Sequence, residues 1–429
     1  MIRTIARYGA RHVPGSSGAA FRTLFGPGAV EGPSIREFEE KFAMYHDLPH
    51  AISASYGRMA FYYILKAMDF PPGSEIIFPA LTFWVVPEIA RVAGLRPVFV
   101  DVDPYTFNLN PELIESAVGP ETRAIVPTHL YGQTCEMDAI LPVAHRHKLR
   151  VIEDCAHALG ATYKGQKAGT FGDAAFFSFQ MLKPLNTYGG GMAVLRDDSW
   201  AQKIRAMAEA EPWPKVWDVR KKFLFGTMQR GFISQVGFTF SMFIAFYIAS
   251  FFGNHDLTRY IWEKIRPLDP LPESYRKRYS NSQAFVGLAM LEAIDSFNAK
   301  SRSNAQHLTQ GLKDVHAVLP PVTAAGADPV YYQYCIRVSN PELLSHRAIR
   351  KGVDMEIMHV DICNKLDRFA PYASSCPAAE STERTLQLPV YSSLRPEDIE
   401  RILHVVREAC AGLPELKERM NQETVTTAV

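Results

Sequence analysis

Between His50 and Asp197, short runs rich in β-branched and aromatic residues alternate with amphipathic ones, and that alternation restricts the chain to an α/β design. HAISAS (50–55), SEIIFPA (74–80), RPVFVDVD (96–103), RAIVPTHLYG (123–132), RVIEDCA (150–156), AAFFSF (174–179) and GMAVLRD (191–197) read as strands. Helical stretches, from Arg58 to about Met68 and through EIARVAG, separate the first of them, and PPGSE and VGPETR punctuate the turns. Units of this kind build a mostly parallel sheet with helices on its faces.

After Asp197 the pattern changes. Helical spacing runs to Glu211, an uncharged stretch occupies Gly231 to Gly253, and a further helix is expected over about Ser282 to Leu312. From about Val330 strands and short helices return, in YYQYCIRV and PEDIERILHVVREACAGL, as a smaller domain. The expected divisions are an N-terminal arm (1–24), a large domain (25–210), an apolar insertion (211–270), a return segment (271–312), a small α/β domain (313–415) and a disordered tail (416–429).

Arg3, Arg7 and Arg11 fall four residues apart and predict one face of a helix in the arm. A solvated arm is the plain expectation, acidic lipid the sharper one and a mitochondrial presequence the third; a secretory signal is excluded because arginines interrupt any apolar core. The net charge of +1 over 429 residues gives no field for nucleic acid. Six scattered cysteines, with no CxxC pair, argue against structural zinc or a disulfide framework and for a reducing compartment, the cytoplasm.

In open α/β sheets, ligands sit beyond the carboxyl ends of the strands. There the sequence puts Gly57 at a helix start, Asp154 and His157 after one strand, and Ser178 five residues before Lys183. Each alone is an ordinary surface, cap or packing residue. Together they supply an anion cradle, a carboxylate, an imidazole, a hydroxyl and an amine, the set that pyridoxal 5′-phosphate (PLP) requires. A carboxylate about 4 Å from the ring nitrogen contributes roughly 4 kcal/mol at an effective dielectric of 20, enough to keep it protonated.

GPSIREFEEKFAMYHDLPHAISASYGR, PGSEIIFPALTF, RPVFVDVDPYTFNLNPELIESAV, VIEDCAHALGATYKGQKAGTFGDAAFFSF and TLQLPVYSSLRPEDIERI resemble the DegT/DnrJ/EryC1/StrS aminotransferases, over about residues 25 to 410 with one interruption. The resemblance implies the aspartate-aminotransferase fold, fold type I of the PLP enzymes, as a homodimer with sites built from two chains. It implies Lys183 as the cofactor-bearing lysine and proton shuttle, Asp154 at the ring nitrogen, His157 by the ring hydroxyl and Phe83 stacked on the ring. Ser178 with the backbone at Gly57–Arg58 would hold the phosphate, and Arg276 stands where the family reaches into the partner's phosphate site. Arg58 replaces the family's threonine. The Gly189–Gly191 run is expected to leave room for the cofactor.

The same resemblance implies transamination from an amino acid, glutamate by family analogy, to a nucleotide-linked keto-sugar, while the apolar insertion points to a greasier, lipid-linked carbonyl compound. A PLP-dependent lyase or dehydratase, and a membrane-associated PLP-binding scaffold without turnover, are the alternative readings. The stretch from Gly231 to Gly253 as one helix would be about 34 Å long, enough for a bilayer core of about 30 Å. Both halves of the site must fold on one side, so a single crossing is excluded. A broken element lying on the cytoplasmic face of a membrane is expected, with burial in a dimer interface or against the small domain as the alternative.

Overall fold

The computed structural model describes residues 4–9, 11, 16–252, 263–357 and 360–416. Seven strands form the main sheet: β1 (His50–Ala54), β2 (Glu75–Pro79), β3 (Arg96–Val100), β4 (Thr122–Ile125), β5 (Arg150–Asp154), β6 (Ala174–Ser178) and β7 (Gly191–Leu195). They lie in the order β1-β7-β6-β5-β4-β2-β3. β7 runs antiparallel to both neighbours, while β6, β5, β4, β2 and β3 are parallel. Helices cover both faces, so these strands are apolar along nearly their whole length rather than alternating; β7 is buried throughout.

Helices α1 (Ser16–Phe25), α2 (Ser34–His46), α3 (Gly57–Met68) and α4 (Asp198–Ala210) follow the N-terminal residues and flank the sheet. α3 buries Met59, Ala60, Phe61, Tyr63 and Ile64, a broad apolar stripe that packs on β6 and β7. Its first residue, Gly57, stands where β6 ends.

The insertion is broken into α5 (Val216–Ile233), α6 (Gln235–Phe240) and α7 (Met242–Ala249). Ser234 leaves helical geometry and caps α6 with its hydroxyl, and Ser241 makes the second break. Among the described residues no helix is long and apolar enough to cross a membrane. The 34 Å helix is therefore not formed, because these serines satisfy backbone groups locally and so stop the helix.

α8 (Asn281–Gly311) places Val286 and Met290 in the core beneath the main sheet and Ala305 and Leu308 in a second core. That core lies against an antiparallel sheet of β8 (Val318–Leu319), β9 (Tyr334–Val338), β10 (Glu356–Ile357) and β11 (Thr385–Leu388), ordered β8-β9-β11-β10. α9 (Pro341–Arg350) and α10 (Pro396–Ala409) complete it.

The N-terminal arginines do not line a helix. Residues 4–9 have no helical turn; Ile5 bridges Val353 in parallel, with Ile5 N–H donating to the Gly352 carbonyl at 2.8 Å. Arg7 is buried and donates through Nε and Nη2 to Asp354 at 2.8 and 2.7 Å. Arg11 donates to the Pro184 carbonyl at 2.7 Å. Buried carboxylates far along the chain take Arg7, carbonyl and amide oxygens take Arg11, and a strand-like bridge supplies backbone partners that a helix would otherwise have supplied. Neither Arg7 nor Arg11 forms a solvated or lipid-facing surface. Arg3 and the tail at 417–429 lie outside the described residues.

Candidate active site

A cavity of about 510 Å³ opens at the carboxyl ends of β5 and β6 and at the start of α3. Gly57, Arg58, Phe83, Asp154, His157, Ser178 and Lys183 all line it, so seven residues singled out in the sequence meet in one place. The eighth does not. Arg276 projects away from the cavity, is 60% exposed and donates to Glu211 at 3.2 Å. The chain turns there: Tyr275 points in, and Arg276 points out into a recess with Tyr62 and Tyr63.

β5 ends on a pair of acids with different work. Glu153 is buried and fully engaged: it accepts from the N–H groups of Gly169, Phe171 and Gly172, each at 2.8 Å, and lies 2.8 Å from His129 Nε2. It ties the 169–172 loop to the sheet. This arrangement also accounts for the close grouping of His129, Glu153 and Cys155 without a metal. Asp154, the next residue, points the other way and lines the cavity. Burial pushes its carboxyl up to about 6, against the opposing pull of the Ala156 N–H and the Lys183 charge. At neutral pH it is an anion.

Lys183 reaches the same cavity from the loop after β6. Burial draws its amine down to about 8; Asp154 pulls it back up and Arg58 pushes it further down. Its Nζ lies 2.7 Å from His157 Nε2 and over the ring of Tyr332, 5.3 Å from the centroid. Tyr332 in turn packs against His157 with ring centroids 4.4 Å apart.

The N-terminus of α3 forms the opposite wall. The first N–H groups of a helix have no intrahelical acceptor and attract anions, and Gly57 and Arg58 present theirs beside Ser178. The glycine run after Lys183 works differently from expectation. Gly189, Gly190 and Gly191 do not line the cavity. A Cβ on Gly191 would meet Gly57 Cα at 2.4 Å, and one on Gly190 would meet the Tyr279 ring at 2.3 Å. The glycines let β7 run directly under the start of α3, which sets that helix N-terminus against the strand ends.

Sequence reasoning missed Glu263. Its carboxylate accepts from Arg58 Nη1 and Nη2 at 2.8 and 2.7 Å, and from the Tyr275 hydroxyl at 2.6 Å. The Arg58 guanidinium is also stacked among the rings of Tyr56, Phe83 and Tyr275. Gln229 and Arg266, from the same inserted region, line the cavity too. No local motif marks these three; only their position beside the family's segments could have flagged them.

The sequence profile described as the DegT/DnrJ/EryC1/StrS aminotransferase family matches residues 23–227 and 247–407. The chain belongs to that family. The gap in the match falls on the middle of the insertion, from the end of α5 into α7. GDP-perosamine synthase of Caulobacter vibrioides is 32% identical over 379 residues, covering 87% of this chain and 89% of that protein. The dTDP-3-amino-3,4,6-trideoxy-alpha-D-glucose transaminase of Micromonospora megalomicea is 29% identical over 408 residues, 92% and 94% of the two chains. The crystal structure of S. venezuelae DesV, solved with a ketimine intermediate, superposes with a TM-score of 0.74 at 27% identity, over 93% of this chain and 95% of that one. This DegT/DnrJ/EryC1/StrS protein is an aminotransferase of the α/β, PLP-enzyme fold.

Proposed function

We propose that this aminotransferase uses PLP to move an amino group from glutamate to the carbonyl carbon of a keto-sugar. It works as a homodimer that touches the cytoplasmic face of a membrane through residues 231–253. The observation that carries the reading is the meeting of a buried lysine amine, a buried aspartate and an open helix N-terminus in one cavity. That donor set fits a pyridine ring bearing an aldehyde and a phosphate: amine to aldehyde, carboxylate to ring nitrogen, N–H groups to phosphate.

When bound, PLP supplies an electron sink for the carbon that gains or loses the amine. The chain's own residues do the rest. Lys183 Nζ holds the cofactor, then takes and returns the proton at the reacting carbon. Asp154 keeps a proton on the ring nitrogen. His157 orients the lysine amine and stands by the ring hydroxyl. Phe83 covers one ring face, and Ser178 with Gly57 and Arg58 holds the phosphate. Arg276, turned outward, serves the site of a partner subunit. The relatives' sugar substrates support a keto-sugar acceptor, and the exposed apolar insertion supports a lipid-linked carrier for it beside a nucleotide-linked one.

The test is the absorbance of the PLP-loaded protein. A yellow band that L-glutamate bleaches and 2-oxoglutarate restores is expected, and Lys183→Ala is expected to lose turnover. Product analysis separates amine transfer from elimination by a lyase or dehydratase. A band that no amino donor changes would overturn the reading in favour of a PLP-binding scaffold.

A further inference from the structure

From Val219 to His255 the sequence has no acidic residue, and its ionised side chains are Arg220, Lys221, Lys222 and Arg230. The structure turns most of this segment outward. α7 reads MFIAFYIA and buries Phe246 alone; α6 buries Phe238 alone. These two rings, with Ala6 and Ile349, peg the insertion to the N-terminal strand and α9. Around them Phe225, Phe240 and Ile248 are 64%, 63% and 54% exposed. α5, α6 and α7 pack in series, and α1, with Phe21 and Phe25 exposed, lies against α5. A helix that is apolar on every side needs cover on every side, and apolar surface on this scale marks a contact.

We infer that this face docks on the surface of an anionic lipid bilayer, lying in its interface without crossing it. Three observations select that occupant. First, α6 and α7, with six and eight residues, are about 9 and 12 Å long against a hydrocarbon core of about 30 Å, so they lie flat. Second, basic groups sit on aromatic rings at both ends of the strip. Lys221 lies 5.7 Å from the Trp217 ring centroid, and Arg350 lies 4.5 Å from that of Phe251. That pairing places amphipathic rings and cations together at the depth of lipid headgroups. Third, charge disfavours a second copy. A twofold contact sets a patch against itself, and the basic groups of this strip, Arg220, Lys221, Lys222, Arg230 and Arg350, outnumber its one carboxylate, Asp218.

Docking has a geometric consequence. α5 carries Gln229 into the cavity and, on adjacent positions, Met228 and Phe232 outward. The cavity therefore stands beside the lipid surface, where a carbonyl acceptor on a lipid tail would present its head. This last step rests on the aminotransferase reading; the lipid contact does not.

The experiment is flotation of the full-length, PLP-loaded protein with vesicles of phosphatidylcholine, with and without phosphatidylglycerol. Binding at least about tenfold tighter with the anionic lipid, weakened by salt, is expected from the exposed cations. The double variant Phe240→Glu/Ile248→Glu is expected to lose at least about tenfold in binding while circular dichroism, dimer mass and glutamate bleaching stay unchanged. Lys221→Glu, a milder surface change, is expected to lose the anionic preference alone. No flotation on either vesicle would overturn the inference, as would flotation unchanged in both variants. So would conversion of dimer to monomer in the double variant, which would make this face a contact between copies. Flotation without a yellow band would leave the docking standing and remove the chemistry.

Discussion

The amine of Lys183 stands 2.7 Å from Nε2 of His157, whose other ring nitrogen is already engaged. Tyr131 N–H donates to His157 Nδ1 at 3.3 Å. A ring that accepts at Nδ1 has Nε2 as its donor, so once Lys183 has lost its proton, above about pH 8, the imidazole N–H can point into the lone pair of the amine. The neutral amine is the form that attacks an aldehyde.

Reconstitution of the apoprotein with PLP is therefore expected to speed up as pH rises through about 8, where Lys183 titrates, and then to level off. His157→Gln, which keeps a donor, should leave that midpoint in place. His157→Phe should move it toward the ordinary lysine range. Rates followed by the growth of visible absorbance decide it, and an unmoved midpoint in the phenylalanine variant would remove His157 from this role.

The same shifts act on stability, with opposite signs. Lys183 has a depressed value, so between about 8 and 10.5 the unfolded chain holds the extra proton, and this group's contribution rises with pH. Asp154 has a raised value, so between 3.8 and about 6 the native state holds the extra proton, and its contribution falls as pH rises. Denaturant titrations of the apoprotein against Lys183→Met and Asp154→Asn should show each slope vanish in its own variant.

Glu263 supplies an anion to the cation that stands at the phosphate end of the cavity. A bound phosphate must share or displace it. Glu263→Gln is expected to tighten PLP binding about tenfold by freeing Arg58, and Arg58→Thr to weaken it by a similar factor. Equilibrium titration of the apoprotein with PLP reads both. Weaker binding in Glu263→Gln would mean that the carboxylate holds Arg58 in place for the phosphate.

Arg7→Met leaves Asp354 buried without its cation and is expected to cost about 3–5 kcal/mol, measured as a fall in the urea midpoint. A loss below about 1 kcal/mol would show that Asp354 finds water or another partner.

Gly191→Ala forces a methyl group toward the Gly57 backbone. It should cost about 1–3 kcal/mol and, by lifting the start of α3, loosen PLP binding. Unchanged PLP affinity would separate the position of the helix from anion binding.

Much of the fold was legible in the sequence because buried parallel strands leave unbroken apolar runs: six strands of the main sheet fall within the runs read as strands, and β4 starts one residue before its run. Lys183, Asp154, His157 and Ser178 were legible for a related reason: a sheet delivers whatever follows its strands to one edge; Phe83 was legible through the family resemblance alone. What failed was local spacing standing in for distant contact. Arg3, Arg7 and Arg11 have helical spacing, yet Arg7 answers to Asp354, 347 positions away. The uncharged stretch did not mislead in this way: the break expected in it is found, at Ser234 and Ser241. Glu263 left no trace because an ion pair across a cavity has no period. The glycines were legible as glycines, while their neighbours, Gly57 and Tyr279, were set by the tertiary fold.

The anchoring of the insertion also fixes an order of events during synthesis. Part of the cover of Phe238 and Phe246 arrives only with Ile349, about 100 residues after α7 has been made. At translation rates of about 5–20 residues per second, α6 and α7 wait roughly 5–20 s for it. Ile5 likewise waits for Val353, its bridge partner far along the chain. A nascent chain of this design carries that part of its apolar face open until its C-terminal half has been made.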